Sequence, residues 1–105
     1  MTTKSRKQQI EDMLADDPND PFLRYGLAME NASAGEDEAA ARCFQELLTR
    51  APDYVPAYFQ TSQVLIRLGR EAEAEAVLRS GIALAGKKGD AHAAGEMAGL
   101  LDSIS

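Results

Sequence analysis

Tyr58-Phe59-Gln60-Thr61-Ser62-Gln63-Val64-Leu65-Ile66-Arg67-Leu68-Gly69, continued by Arg70-Glu71-Ala72-Glu73-Ala74-Glu75-Ala76-Val77-Leu78, reads as a helix, a turn and a returning helix. Tyr58, Phe59, Ser62, Leu65 and Ile66 recur at the three- and four-residue spacing that collects side chains on one helical face. Gly69 supplies the turn, because a residue without a Cβ enters the left-handed conformation freely. Ala74, Val77, Leu78 and Ile82 then form the stripe of the return helix. Asp53 is the expected N-cap of the first helix, with Pro56 tolerated in a first turn whose N–H groups have no intrahelical partner. Gly86-Lys87-Lys88-Gly89 is expected to break the chain, ending the return helix near residue 85.

The same plan stands 34 residues upstream. Pro18 and Pro52 are 34 positions apart, and so are Gly35 and Gly69. The offset also relates Ile10, Phe44 and Leu78, then Leu14, Leu48 and Ile82, then Tyr25 and Phe59. Residue size is preserved along with position, which marks a true internal repeat. In this earlier unit Asp20-Pro21 offers a cap followed by proline at the first helical position. Glu36, Asp37 and Glu38 open the second helix, where the positive end of its dipole favours acids. Ala40, Cys43, Phe44, Leu47 and Leu48 make its apolar stripe.

Working outward, both ends read as partial units. Ile10, Met13 and Leu14 align with the second helices, and Met97, Leu100, Leu101 and Ile104 fall at i, i+3, i+4 and i+7 of a closing helix. Six helices are predicted, roughly 5–15, 21–34, 37–50, 55–68, 71–85 and 90–104. They divide into an N-terminal half-repeat (5–20), two full repeats (21–54 and 55–88) and a C-terminal capping helix (89–105). One such hairpin cannot bury its own apolar face, so the units must stack. The predicted fold is all-α, a short right-handed solenoid forming a single domain of 105 residues with one concave side.

Composition narrows the function classes. The net charge of −6 repels phosphate backbones, and two small basic clusters (Lys4, Arg6, Lys7 and Lys87, Lys88) build no phosphate-tracking stripe, so no nucleic-acid partner is expected. No run approaches the ~20 apolar residues that cross a membrane, and the basic start has no apolar segment behind it. Cys43 is the sole cysteine and forms no internal disulfide, which fits a reducing, cytoplasmic setting.

Residues 21–54 and 55–88 resemble the tetratricopeptide repeat. In the second unit Tyr58, Ser62, Leu65, Gly69, Ala74 and Leu78 stand where that pattern has an aromatic, a small residue, a large one, glycine, alanine and a large apolar residue. Gly81 replaces its second alanine, and Gly86 its terminal proline. The first unit matches through Leu27, Ala28, Gly35, Ala40, Phe44 and Pro52 and departs at Arg24 and Asn31, where bulkier residues are usual. The resemblance implies that the first helix of each hairpin lines a concave, peptide-receiving groove. Carried over by position, the lining is Phe22, Tyr25, Met29, Ala32 and Ser33, then Pro56, Phe59, Gln63, Ile66 and Arg67. Tyr25 and Met29 stand where the family's clamp for C-terminal carboxylates has lysine and asparagine, so a co-adaptor for chaperone tails is not expected.

The residues suggest no catalytic set. His92, the sole histidine, has no motif around it, and Cys43 sits on an apolar stripe where a thiol behaves as a small hydrophobe. Asp16-Asp17 and Glu36-Asp37-Glu38 lack the alternating oxygen ligands and turn glycine of a calcium loop, and no glycine loop cradles phosphate. The expectation is a non-catalytic protein-interaction module without cofactor or metal, binding a peptide or helix through Phe22, Tyr25, Met29, Phe59, Gln63, Ile66 and Arg67. The alternative is a homo-oligomerisation unit, such as a homodimer, using the same apolar surface or the end helices.

Overall fold

The computed structural model describes residues 3–105, and among them six helices and no strand. They are α1 (Arg6–Asp16), α2 (Pro21–Ser33), α3 (Asp37–Arg50), α4 (Val55–Arg67), α5 (Glu71–Lys88) and α6 (Ala91–Ile104). Each packs chiefly on its chain neighbours, with α6 also touching α4, so the chain forms a short solenoid of 49 × 28 × 20 Å.

The helix starts follow local chemistry. Ser5 and Gln8 close a reciprocal capping box on α1. The Asp20 carboxylate accepts from the N–H groups of Phe22 (2.9 Å) and Leu23 (3.2 Å), and Pro21 occupies the first position of α2. Gly35 and Gly69 end their turns at φ +78° and +76°. The Gly35 and Gly69 turns are matched by backbone bonds from Glu36 N–H to Asn31 and from Arg70 N–H to Leu65.

Two local expectations are corrected. Asp53 does not cap α4; Tyr54 stands at the N-cap without a side-chain bond, and the Asp53 carbonyl instead accepts from Lys88 Nζ at 3.0 Å. Nor does α5 stop at residue 85. It runs through Gly86 to Lys88, and Gly89 at φ +72° makes the left-handed cap. The two lysines then face the negative end of the α5 dipole, where cations are favoured.

The first apolar cluster joins α2, α3, α4 and α5 around Ala28, Ala40, Phe44, Leu47, Ala57, Leu65 and Ala74. The alanines let the helices approach, and Phe44, Leu47 and Leu65, all 0% exposed, fill the spaces between them. A second cluster of Val55, Leu78, Ala85 and Met97 carries the core on to α6. Arg24 and Asn31, the departures from the repeat pattern, find polar partners. Arg24 Nε donates to the Pro18 carbonyl at 2.6 Å, and its guanidinium lies 3.4 Å from Glu46. Asn31 is buried, donating to Cys43 Sγ at 3.5 Å while its Oδ1 has no protein partner.

Ion pairs tie consecutive hairpins together. Arg67 grips Asp37 through Nη2 at 2.9 Å and Nε at 3.2 Å, and Arg70 reaches Glu38 at 3.1 Å. The hydrogen bonds from Arg67, helped by its charge and opposed by burial, hold the Asp37 carboxyl below the usual carboxylate range. A depressed folded-state pKa contributes stability above the ordinary carboxylate value and loses it as pH falls through the depressed one. Arg67→Gln is therefore expected to cost about 1 kcal/mol or less near pH 7, since the pair is partly solvated. Urea unfolding repeated at decreasing pH should show the gap between wild type and variant closing below about pH 4.

Candidate interaction surface

Two recesses that share Tyr25 open on the surface, the first mainly apolar and the second mixed, with Gln60 and Glu96 among its walls. The first, of about 250 Å³, lies between α1 and α2 and is lined by Ile10, Met13, Phe22, Leu23, Gly26 and Met29, with Arg6 and Glu30 at one end. The second, of about 220 Å³, lies where α2, α4 and α6 meet and is lined by Val55, Pro56, Phe59, Gln60, Ala93, Glu96 and Met97.

Tyr25 is held in place from beneath. Its ring meets Phe44 edge-on at 6.0 Å and Tyr54 at 5.4 Å. Burial, and secondarily Tyr54, raises its phenol pKa above the ordinary value, so it stays neutral under ordinary conditions. Tyr25 is thus part wall of the recesses and part core. Tyr58, next to Phe59 in sequence, faces the other way and donates its hydroxyl to the Pro52 carbonyl at 2.5 Å.

The positions carried over from the sequence do not converge on one site. Phe22 and Met29 belong to the α1–α2 recess, and Phe59 and Pro56 to the α2–α4–α6 recess, with Tyr25 between them. Gln63 is half-buried on α4, and Ile66 packs against the first core cluster. Arg67 is exposed but already paired with Asp37. Ala32 is packed on the first cluster and Ser33 is exposed at the end of α2.

Ala93, Glu96 and Met97 also line the second recess, from α6, a helix that the sequence predicts only as a cap. A signal was available: the 34-residue step from Tyr25 to Phe59 leads on to Ala93, and the step from Gln63 leads to Met97. His92 lies on the solvent side of α6, 3.4 Å from Glu96. The Cys43 thiol is pushed up chiefly by burial, which keeps it protonated and weakly nucleophilic. Among the described residues no group of three His, Cys, Asp or Glu side chains gathers as a metal site.

Neither a protein-family model nor a curated protein matches the chain. Solved structures do. A tetratricopeptide repeat domain protein from Salinibacter ruber is 30% identical over 81% of this chain and 94% of its own, with a TM-score of 0.77. A protein from Bordetella parapertussis is 25% identical over 97% of this chain and 89% of its own, with a TM-score of 0.84. PcrH, solved in complex with the chaperone-binding region of PopD, superposes with a TM-score of 0.86 over 93% of this chain and 74% of its own, at 19% identity.

Proposed function

The chain belongs to the tetratricopeptide repeat family, and from that premise we propose that it is a non-catalytic interaction module whose concave face receives an apolar segment of another protein. The observation that carries this reading is the recess between α2, α4 and α6, where Tyr25, Phe59 and Met97 surround about 220 Å³ of open space. About 150 Å³ is enough to hold benzene, so this volume has room for one aliphatic or aromatic side chain against Phe59, Val55 and Met97, with Gln60 and Glu96 facing its polar surroundings. The complex of PcrH with a segment of PopD supports the reading by showing that a similar fold receives a polypeptide.

One anchor is insufficient for useful affinity. Burying a large apolar side chain contributes roughly 1.5–3 kcal/mol, whereas association costs at least about 4 kcal/mol in lost rigid-body freedom. The segment must therefore run on along α4, past Gln63 and Ile66. Glu96 edges the recess and the chain carries a net charge of −6, so a segment with basic residues beside its anchor is favoured. Arg67, committed to Asp37, contributes little to gripping a partner carboxylate.

Selection from a random peptide library, with affinities measured by fluorescence anisotropy, tests this reading. Peptides with an apolar anchor and flanking lysine or arginine are expected. Phe59→Ala should weaken them roughly tenfold, about 1.4 kcal/mol, with helicity unchanged. Phe59 is the cleaner probe, because truncating Tyr25 also removes packing from Phe44 and Tyr54. Peptides that bind the variant as well as wild type would sink the assignment of this recess.

A further inference from the structure

The α1–α2 recess has a different occupant. We propose that a second copy of this chain docks there, in a two-fold pairing that sets the two α1 helices antiparallel.

The surface itself is unfinished. Among the described residues the two large hydrophobic side chains that stand exposed are Met13, at 48%, and Phe22, at 69%, and both line this one recess. The internal repeat shows how unusual Met13 is. Its counterpart 34 residues on is Leu47, which is 0% exposed within the packed core. Ile10, the counterpart of Phe44, is buried, but the Met13 end of the face that α3 buries is left open on α1, so what fits there is another helix laid along the recess.

Charge identifies that helix. Arg6 and Lys7 occupy the first turn of α1, at the positive end of its dipole, and Asp16 ends it at the negative end. Such placements are each unfavourable by about 0.3–1 kcal/mol for an isolated helix. The neighbouring repeat helices are arranged the favourable way round, α3 with Asp37 and Glu38 first and Arg50 last, α5 with Glu71 and Glu73 first and Lys87 and Lys88 last. The reversed order on α1 becomes favourable when the facing helix is an antiparallel copy of itself. Arg6, Gln9, Met13 and Asp16 lie at i, i+3, i+7 and i+10, on one strip of α1. Turned about its middle, that strip sets Arg6 against Asp16 of the second copy, twice over, and brings each Met13 to the other's Gln9. Arg6 already meets Glu30 at 2.8 Å, but its side chain is 73% exposed and the guanidinium has donors to spare. An isologous contact of this kind closes on itself, so it yields a dimer and no filament.

Light scattering across about 1 μM to 1 mM tests the pairing, with circular dichroism to verify that each variant is folded. The expected mass rises from one chain to two. Phe22→Glu, at an exposed site, should weaken the dimer at least tenfold. Arg6→Glu and Asp16→Lys should each dissociate it when alone, by opposing like charges at both symmetric pairs. An equimolar mixture of those two variants should recover the two-chain mass, since every pair is then opposite in sign. A mass of one chain at all concentrations overturns the proposal. So does a dimer indifferent to Phe22→Glu, which would put the contact elsewhere, or a mixture that fails to recover, which would rule out the antiparallel register.

Discussion

Phe44→Ala is expected to lower the unfolding free energy by about 3–5 kcal/mol, the range for truncating a fully buried aromatic whose site cannot collapse. Phe44 is 0% exposed at the centre of the cluster that joins α2, α3, α4 and α5, so the space it leaves is walled by four helices held by their own contacts. Total stability for a domain of this size is typically about 5–15 kcal/mol, so the loss amounts to at least about a fifth of it. Urea unfolding monitored by circular dichroism would measure the change as a shift in midpoint. The effect should reach the surface as well. Phe44 supports the Tyr25 ring edge-on at 6.0 Å, and Tyr25 lines both recesses. A double-mutant cycle with Phe44→Leu and Tyr25→Leu is expected to give a coupling of about 0.5–1.5 kcal/mol. A loss under about 1 kcal/mol for Phe44→Ala would mean that the helices close over the gap and that the repeat core is far more plastic than its packing implies.

The solenoid was legible because the repeat states its packing twice. Alanine at 40 and 74, the Phe44/Leu78 pair and glycine at 35 and 69 recur in register, and the structure puts all of them where the helical hairpin needs them. The end of α5 was harder to read, because Gly86 and Gly89 both offer a stop and the choice is not local. Gly89 prevails since Lys88 reaches across to the Asp53 carbonyl and Asp90 begins α6 by accepting from the Ala93 N–H. The recesses were only half legible. Phe22 and Tyr25 are both aromatic and one turn apart on α2, yet one ring lies in solvent and the other is wedged against Phe44 and Tyr54. That difference depends on what α3 and the α3–α4 turn bring beneath Tyr25, which no spacing within α2 reveals.

Gly81→Ala is expected to destabilise the protein although it improves the intrinsic helix propensity of α5. In an exposed helix interior the exchange stabilises by about 1 kcal/mol. At residue 81 a Cβ would stand 2.5 Å from Met97 Sδ, 2.7 Å from Tyr58 Cβ and 3.0 Å from Tyr58 Cγ. The methionine sulfur can swing aside, because its side chain is unbranched and flexible. Tyr58 cannot do so as easily: its Cβ is fixed to the α4 backbone, and its hydroxyl is tied to the Pro52 carbonyl at 2.5 Å. Relief therefore requires α4 and α5 to part, and overpacking of this kind costs about 1–3 kcal/mol, which exceeds the propensity gain over most of that range. Gly86, one and a half turns further along the same helix, provides the internal control. A Cβ there meets nothing within 4 Å, so Gly86→Ala should be stabilising by about 0.5–1 kcal/mol. The pair makes one substitution in one helix yield opposite signs, readable as opposite shifts in thermal midpoint. If both variants were stabilised alike, propensity alone would govern α5, and the close approach of α4, α5 and α6 at Gly81 would have no part in holding the second repeat to the closing helix.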